Sequence, residues 1–251
     1  VEDVLVPVPH GNKTYITNGP IADVVLTYAK TDPAAGARGI SAFVVETDAP
    51  GFAVAQKLVK QGFRGSQTGE LVLSDCRVPA ENLIGLENEG VAVVMNGLDL
   101  ERTFLAPGSV GMAERCYELA LEHAEARRQF DRPVADFQVI QHKLADMWVG
   151  IETARTYCYR VLEMCGQVEA GEGIPPELHA HSAAAILYAA EMHTRVADQA
   201  VQVHGGAGYI WEMEVNRLYR AAKLLEIGAG TSEVRRNIIA DHVRSHAGPS
   251  T

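Results

Sequence analysis

The first third of the chain has the hydrophobic pattern of β-strands. Short apolar and β-branched runs end in Asp, Asn, Pro or Gly at residues 13–19 (KTYITNG), 23–32 (DVVLTYAKTD), 39–51 (GISAFVVETDAPG) and 69–79 (GELVLSDCRVP). Runs bounded by turn residues are typical of strands. We therefore predict four or five strands of an antiparallel sheet, as in a barrel or a sandwich, over residues 1–86.

From residue 87 onward the pattern is helical. Apolar residues recur every three to four positions, with charged residues between them, in residues 113–130, 136–164 and 175–203, and shorter helices are predicted over 212–220 and 232–245. Long helices joined by short polar connections indicate an up-and-down bundle, within which residues 166–176 form a linker. The predicted fold class is α+β, with part of an antiparallel β-domain over 1–86 and a C-terminal helical bundle over 87–251.

Composition excludes several classes of function. The chain has 251 residues and a formal net charge of −10, and an acidic chain disfavours a nucleic-acid partner. No apolar run reaches the roughly 18 residues that span a bilayer. The chain begins at Val1, so we expect a fragment or a processed product.

The four cysteines indicate neither disulfides nor a metal site. Cys76, Cys116, Cys158 and Cys165 form no CxxC pair, and no set of Cys and His has the spacing of zinc ligands. A reducing compartment and no metal are therefore predicted. Cys158 and Cys165 are seven residues apart in a helical pattern, which predicts that both are buried on one face.

Glu101 is the first candidate catalytic residue. It lies in an otherwise apolar stretch, MNGLDLERTFLAPG (95–108). Most helical glutamates are solvated, so one interpretation is a surface ion pair, for example with Arg102. The other is a partly buried carboxylate with a raised pKa, as a general base requires.

Three glycine- or arginine-rich segments have both a structural and a binding interpretation. Gly205, Gly206 and Gly208 could end a helix or let a cofactor approach the backbone. Arg127, Arg128 and Arg132 around Phe130 suit a helix C-terminus, or an anion such as a pyrophosphate. Gly228, Ala229 and Gly230 break the chain before a helix that Thr231 or Ser232 would cap, with Glu233 in its first turn. The histidines His179, His181 and His193 have no ligand spacing and are interpreted as helix-face residues.

Seven segments in a fixed order carry a resemblance to a known family. They are YITNGP (15–20), GFRGSQTGELVLSDCRVPAENLIG (62–85), GLDLER (97–102), ARRQF (126–130), FQVIQHKLADM (137–147), QVHGGAGYI (202–210) and GAGTSEVRRNIIA (228–240). In this order and spacing the chain resembles acyl-CoA dehydrogenases, flavoproteins that oxidise acyl-CoA thioesters to 2-enoyl-CoA. The resemblance covers about residues 12–243. The N-terminal helical domain and first strands of the family have no counterpart in these segments, so we expect either part of a longer protein or a chain that cannot build the whole site by itself.

The resemblance also implies where the catalytic base lies. Most members carry the catalytic glutamate in the turn before the last helix, at the position of Ala229. The isovaleryl-CoA dehydrogenase branch carries it within LDLER, where Glu101 matches. The small turn is then what remains when the base is on the helix.

By the same resemblance, Glu101 would remove the α-proton of the acyl-CoA, and flavin N5 would accept the β-hydride. The implied FAD contacts are Tyr15, Ile16, Thr17, Arg127, Phe130, Gln138, Gln202, Val203, His204, Gly205, Gly206, Thr231, Ser232 and Glu233, some of them to the FAD of a neighbouring subunit. The implied acyl-CoA contacts are Ala92, Asp99, Leu100, Arg102, Ala229 and Gly230. Ala92 replaces an aromatic residue common in the branch, which favours a wider acyl pocket.

The sequence and its resemblance leave three functions open. The resemblance favours dehydrogenation of a short branched-chain acyl-CoA such as isovaleryl-CoA. The alternatives are a dehydrogenase for longer or terpenoid branched acyl-CoA and a non-catalytic acyl-CoA-binding partner subunit. The resemblance further implies a homotetramer and electron-transfer flavoprotein as acceptor. It implies the cytoplasm for a bacterial protein and the mitochondrial matrix for a eukaryotic one.

Overall fold

The computed structural model describes residues 5–8, 11–167 and 174–246, so most of the predicted linker at 166–176 lies outside the described residues. The chain forms two compact units, residues 1–97 and residues 98–251. A long helix that begins at Gly90 runs through the boundary between them.

The first unit consists of antiparallel strands, as predicted. Their bounds are β1 (Leu5–Val8), β2 (Gly11–Thr17), β3 (Val24–Lys30), β4 (Ile40–Glu46), β5 (Phe52–Lys57), β6 (Thr68–Leu73), β7 (Cys76–Pro79) and β8 (Leu83–Ile84). β6 lies between β2 and β5, β4 lies between β3 and β8, and β1 pairs with β7. The core of this unit contains Phe43, Val45, Leu73, Cys76 and Val78.

The prediction of four or five strands was too low. Within the described residues, eight strands precede the first helix. The run 69–79 is two strands rather than one, because the backbone at Asp75 takes a left-handed conformation (φ 50°) that ends β6. β5 was missed because its sequence, FAVAQK, alternates weakly and ends in polar residues.

The second unit is helical, and the predicted helices are confirmed: the ends of four of them shift by at most two residues, whereas the first begins at Gly90 and not at residue 113. The helices are α1 (Gly90–Ala126), α2 (Gln138–Gly166), α3 (Pro176–His204), α4 (Glu214–Ala222) and α5 (Ser232–His246). α3 begins with proline at a position whose N–H needs no partner, and its many alanines favour helix and close packing. α1, α2 and α3 supply most of the core.

The end of α1 differs from its prediction. The helix stops at Ala126, and the next residues form a short hairpin of β9 (Arg128–Gln129) and β10 (Arg132–Pro133). Phe130 and Asp131 both have positive φ, 52° and 63°, which is the geometry of a tight hairpin turn. Arg128 and Arg132 therefore belong to the hairpin and not to the helix end.

Cys76, Cys116, Cys158 and Cys165 are free thiols. Cys158 is buried as predicted, whereas Cys165 is only half-buried because it lies in the last turn of α2.

In the part of the chain that the structure describes, no helix has the length and apolar character that would let it cross a bilayer.

Candidate active site

Glu101 lies on the exposed face of α1. No hydrogen bond or ion pair engages its carboxylate among the described residues, and nearby Leu100 and Phe104 are 41% and 64% exposed. The expected partial burial of Glu101 is therefore wrong for this chain, because its position on the helix faces away from the core. The alternative pairing with Arg102 is also wrong, because the Arg102 side chain points inward.

Asp99 and Arg102 occupy the opposite, buried face of the same helical turn. Asp99 is 5% exposed and Arg102 is 2% exposed. Residues three apart are neighbours on a helix, and Arg102 Nη1 donates to Asp99 Oδ1 at 3.0 Å. On α3, His179 Nδ1 lies 2.7 Å and 2.9 Å from the two carboxylate oxygens of Asp99. Asp99 therefore has donors from two helices.

Arg102 also contacts the turn of small residues that precedes α5. Its Nε donates to the carbonyl oxygen of Ala229 at 3.0 Å. Ala229 and Gly230 have φ of 57° and 93°, and a Cβ added to Gly230 would lie 3.3 Å from Arg102 Nη2. The structure thus joins Asp99, Arg102, Ala229 and Gly230, four of the six predicted acyl-CoA contacts, through the Arg102 side chain. Leu100 lies on the same helical turn, and Ala92 lies exposed in the first turns of α1.

A second arginine holds the same turn from α5. Arg235 is 0% exposed, and its Nη1 donates to the Leu225 carbonyl at 2.8 Å. Its Nη2 donates to the carbonyl of Gly228. Burial and the nearby Arg102 cation lower the pKa of Arg235 to about 10. Two buried arginines therefore hold the backbone carbonyls of residues 225–229.

The N-terminus of α5 follows this turn and confirms Thr231 as its cap. Thr231 Oγ1 accepts from the backbone N–H of Val234 at 3.4 Å. The pKa of Glu233 is lowered by hydrogen bonds from its own backbone N–H and from the Thr231 hydroxyl. Ser232 is 6% exposed, and its hydroxyl has no partner among the described residues.

Several predicted FAD contacts meet in a concavity of about 520 Å³ at the end of α3. Arg127 lies in it together with Val203, His204, Gly205 and Gly206. Gly205 ends α3 with φ 59°, and a Cβ added at Gly205 or Gly206 would meet no atom within 4 Å. The helix-ending interpretation is confirmed at Gly205, whereas the cofactor interpretation stays a prediction: the backbone is open at Gly205 and Gly206, but Gly208 packs against the Val201 carbonyl.

The remaining lining residues were missed by the sequence analysis. They are His123, Gln129, Val134, Ile140 and Ala207. The His123 and His204 rings stack at 4.4 Å, and His204 Nδ1 lies 2.8 Å from the carbonyl oxygen of Ala200. Burial, followed by His204 and Arg127, lowers the pKa of His123. Arg127 is the one arginine or lysine among the described residues that line this concavity.

Other predicted FAD contacts lie outside that concavity. Gln138 and Gln202 are exposed, and Phe130 is 86% exposed at the tip of the hairpin with its ring edge against Phe137. Tyr15, Ile16 and Thr17 belong to β2 in the first unit, where Tyr15 has φ 63° at an irregularity in the β2–β6 register. This conformation turns the Tyr15 side chain outward, to 78% exposure.

The donor set of the concavity fits a flavin dinucleotide. The Arg127 guanidinium suits a phosphate, the open backbone at Gly205 and Gly206 allows close approach, and Val134 and Ile140 offer apolar surface to a ring. Within the described residues, no three His, Cys, Asp or Glu side chains are grouped as metal ligands.

Comparison with known proteins matches both parts of the chain. Residues 88–244 match the model for the acyl-CoA dehydrogenase C-terminal domain, and residues 8–76 match that for the acyl-CoA dehydrogenase middle domain. Over 232 residues the chain is 50% identical to isovaleryl-CoA dehydrogenase, mitochondrial, of Oryza sativa subsp. japonica, covering 92% of this chain and 54% of that protein.

Two further similarities bear on the substrate and the fold. The chain is 48% identical to 2-methylacyl-CoA dehydrogenase, mitochondrial, of Solanum tuberosum, covering 94% of this chain and 56% of that protein. The structure resembles butyryl-CoA dehydrogenase from Megasphaera elsdenii with a TM-score of 0.90 and 37% identity, covering 97% of this chain and 62% of that one. The chain spans about half the length of the curated relatives that it matches.

Proposed function

The chain belongs to the acyl-CoA dehydrogenase family, and from that premise we propose that it carries the base of an FAD-dependent dehydrogenase of short branched-chain acyl-CoA. The proposed product is the 2-enoyl-CoA. The observation that carries the proposal is the hydrogen bond from Arg102 to Ala229. It links the helical turn that bears Glu101 to the turn where most of the family has its base.

Glu101 is the proposed base, and it removes the α-proton of the thioester. The chain leaves its carboxylate exposed and without an ion pair among the described residues, so it is free to face a bound ligand. A carboxylate that loses water becomes a stronger base towards carbon. In this proposal the acyl chain itself supplies that desolvation as it covers Leu100 and Phe104.

Ala229 and Gly230 bound the acyl site on the other side. A turn without side-chain bulk leaves room for a branch next to the reacting carbon. Asp99 and Arg102 hold this turn from inside the helical unit, so their role is to place the site and not to transfer a proton.

Arg127 and the residues from Val203 to Gly206 are proposed to hold FAD, together with Thr231, Ser232 and Glu233 at the N-terminus of α5. The N–H groups at a helix N-terminus favour an anionic ligand. When bound, FAD accepts the β-hydrogen as a hydride. The proposed electron acceptor is an electron-transfer flavoprotein, and the proposed compartment is the mitochondrial matrix in a eukaryote or the cytoplasm in a bacterium.

The proposed substrate carries its methyl branch at either the 3- or the 2-position of the acyl chain. One relative acts by name on isovaleryl-CoA and another on 2-methylacyl-CoA, at 50% and 48% identity. We favour the 3-methyl substrate because the LDLER position of Glu101 is that of the isovaleryl-CoA branch. A 2-methyl substrate is the alternative that the potato relative supports.

The test is a substrate panel on the purified full-length protein. Isovaleryl-CoA, 2-methylbutyryl-CoA, a longer terpenoid acyl-CoA and butyryl-CoA are added without oxygen, and flavin absorbance is followed. We expect a yellow protein that isovaleryl-CoA bleaches fastest. A colourless protein would favour the partner-subunit interpretation, and preference for butyryl-CoA would contradict a branched substrate.

A further inference from the structure

His179 is the one member of the network around Arg102 that comes from α3. Its ring is 30% exposed, whereas the side chains of Asp99 and Arg102 are 7% and 2% exposed. A carboxylate accepts hydrogen bonds, so the ring N–H at Nδ1 is the donor to Asp99. The helical pattern of α3 predicted only that this histidine lies on a helix face.

His179 reaches both oxygens of Asp99, whereas Arg102 reaches only Oδ1. Oδ1 accepts from Arg102 Nη1 at 3.0 Å and lies 2.7 Å from His179 Nδ1, whereas Oδ2 has His179 Nδ1 at 2.9 Å. A buried carboxylate oxygen without a donor is costly. Without His179, Asp99 would have to rotate or admit water, and the carboxylate that orients Arg102 would no longer be fixed.

The turn at 228–230 needs this support because its backbone is unusual. Ala229 has φ 57°, a left-handed conformation that a non-glycine residue adopts only when its surroundings impose it. The Ala229 carbonyl accepts from Arg102 Nε at 3.0 Å. A shift of Arg102 therefore moves or loosens the turn.

We propose that His179 is a positioning residue for the reaction: through Asp99 and Arg102 it sets the place of the 228–230 turn relative to Glu101. This inference rests on the proposed function, because the turn and Glu101 bound the same acyl site there. No hydrogen bond joins the His179 side chain to the turn or to Glu101 among the described residues. Its effect reaches the site through two buried hydrogen-bonded side chains.

The test uses three variants of the full-length protein with FAD bound. His179→Ala removes the donor to Asp99, and His179→Asn keeps an N–H at the place of Nδ1. His181→Ala is the matched control, since His181 lies two residues further along α3, is also half-buried, and its Nδ1 lies 2.7 Å from the Tyr157 hydroxyl instead.

Two readouts are measured on each variant. Hydrogen exchange by mass spectrometry follows the backbone amides of residues 225–234, and stopped flow follows flavin reduction by acyl-CoA. We expect His179→Ala to speed exchange in this segment and to lower the limiting rate of flavin reduction about tenfold, with a smaller change in the acyl-CoA concentration that gives half of that rate. A misplacement near 1 Å can cost roughly 10²-fold, and water entering at the half-exposed His179 limits the loss. His179→Asn should recover most of both, and His181→Ala should change neither.

The outcomes separate this inference from the proposed function. If no acyl-CoA reduces the wild-type flavin, the proposed function fails, and the exchange measurement still decides whether His179 holds the turn. Unchanged exchange in His179→Ala overturns the inference. So does an equal effect of His181→Ala, or faster exchange with an unchanged rate of flavin reduction.

Discussion

His193 lies on the buried face of α3 with 0% exposure, and neither ring nitrogen has a partner among the described residues. Burial lowers its pKa to about 4. The periodic pattern of α3 predicted only that this histidine lies on a helix face. A histidine inside a core is stable there as the neutral ring, because no partner offsets the loss of water around a charge.

His193 should therefore make the protein less stable in acid. The folded pKa is below the unfolded value of about 6.5, so the folded state resists protonation. Its stabilising contribution is complete above pH 6.5 and falls as the unfolded chain takes up a proton. The expected loss is about 1.4 kcal/mol for each pH unit from 6.5 towards 4.

Chemical denaturation at several pH values checks this expectation. His193→Leu should lose less stability than the wild type between pH 7 and pH 5. His142→Leu, at an exposed position of α2, should keep the slope of the wild type. Parallel slopes for His193→Leu and the wild type would show that this ring does not govern the acid sensitivity.

The residues around Glu101 show what a sequence can and cannot predict about a site. The bare turn at 228–230 and its cap at Thr231 could be predicted, because turn and cap preferences are local. The inward direction of Arg102 and its contact with Ala229 could not, since 127 residues separate the two. His179 offered no signal at all, because its partner lies on another helix.

The helices and strands with the longest periodic patterns in the sequence were predicted best. The predicted ends of α2 and α3 lie within two residues of the observed ones, because 29 residues of helical period leave little ambiguity. The short strands β5, β7 and β8 were not predicted as separate strands. Two to six residues carry too little hydrophobic pattern, and such strands form only by pairing with their neighbours. The hairpin after α1 was not predicted, because positive φ at two successive residues without glycine, Phe130 and Asp131, is uncommon.

The turn before α5 should be intolerant of a side chain at Gly230. Its φ of 93° is strained for any other residue, and a Cβ would lie 3.3 Å from Arg102 Nη2. Gly230→Ala is expected to cost about 1–3 kcal/mol of unfolding free energy.

Gly228→Ala is the control for that substitution. A Cβ there would lie 3.5 Å from the Leu224 carbonyl, an ordinary contact, and Gly228 is not among the glycines with positive φ. Its expected change is within about 0.5 kcal/mol. Equal losses in the two variants, measured by chemical denaturation, would mean that Arg102 does not constrain the turn.

For the whole molecule, both units match the same family in the same order, at residues 8–76 and 88–244. The predicted order of a β-domain followed by a helical bundle agrees with this. We propose a homotetramer, because Arg127 and Phe130 would complete the flavin site of a neighbouring subunit.

Arg127→Ala tests that assignment in the full-length protein. Removing a charged donor to a phosphate is expected to weaken FAD binding about tenfold or more, since such hydrogen bonds contribute about 1.5–3 kcal/mol. Size-exclusion chromatography, with protein and flavin absorbance recorded together, measures the assembly state and its FAD content. Dilution that separates the subunits should release FAD. A variant that stays assembled and keeps full FAD affinity would contradict the cross-subunit site.

Glu101→Gln is the decisive test of Glu101 as the base. Glutamine keeps the shape of the side chain but cannot accept the α-proton. Stopped-flow reduction of the flavin by isovaleryl-CoA should slow on the order of 10²–10⁴-fold, while the acyl-CoA still binds. Reduction at the wild-type rate would show that Glu101 is not the base.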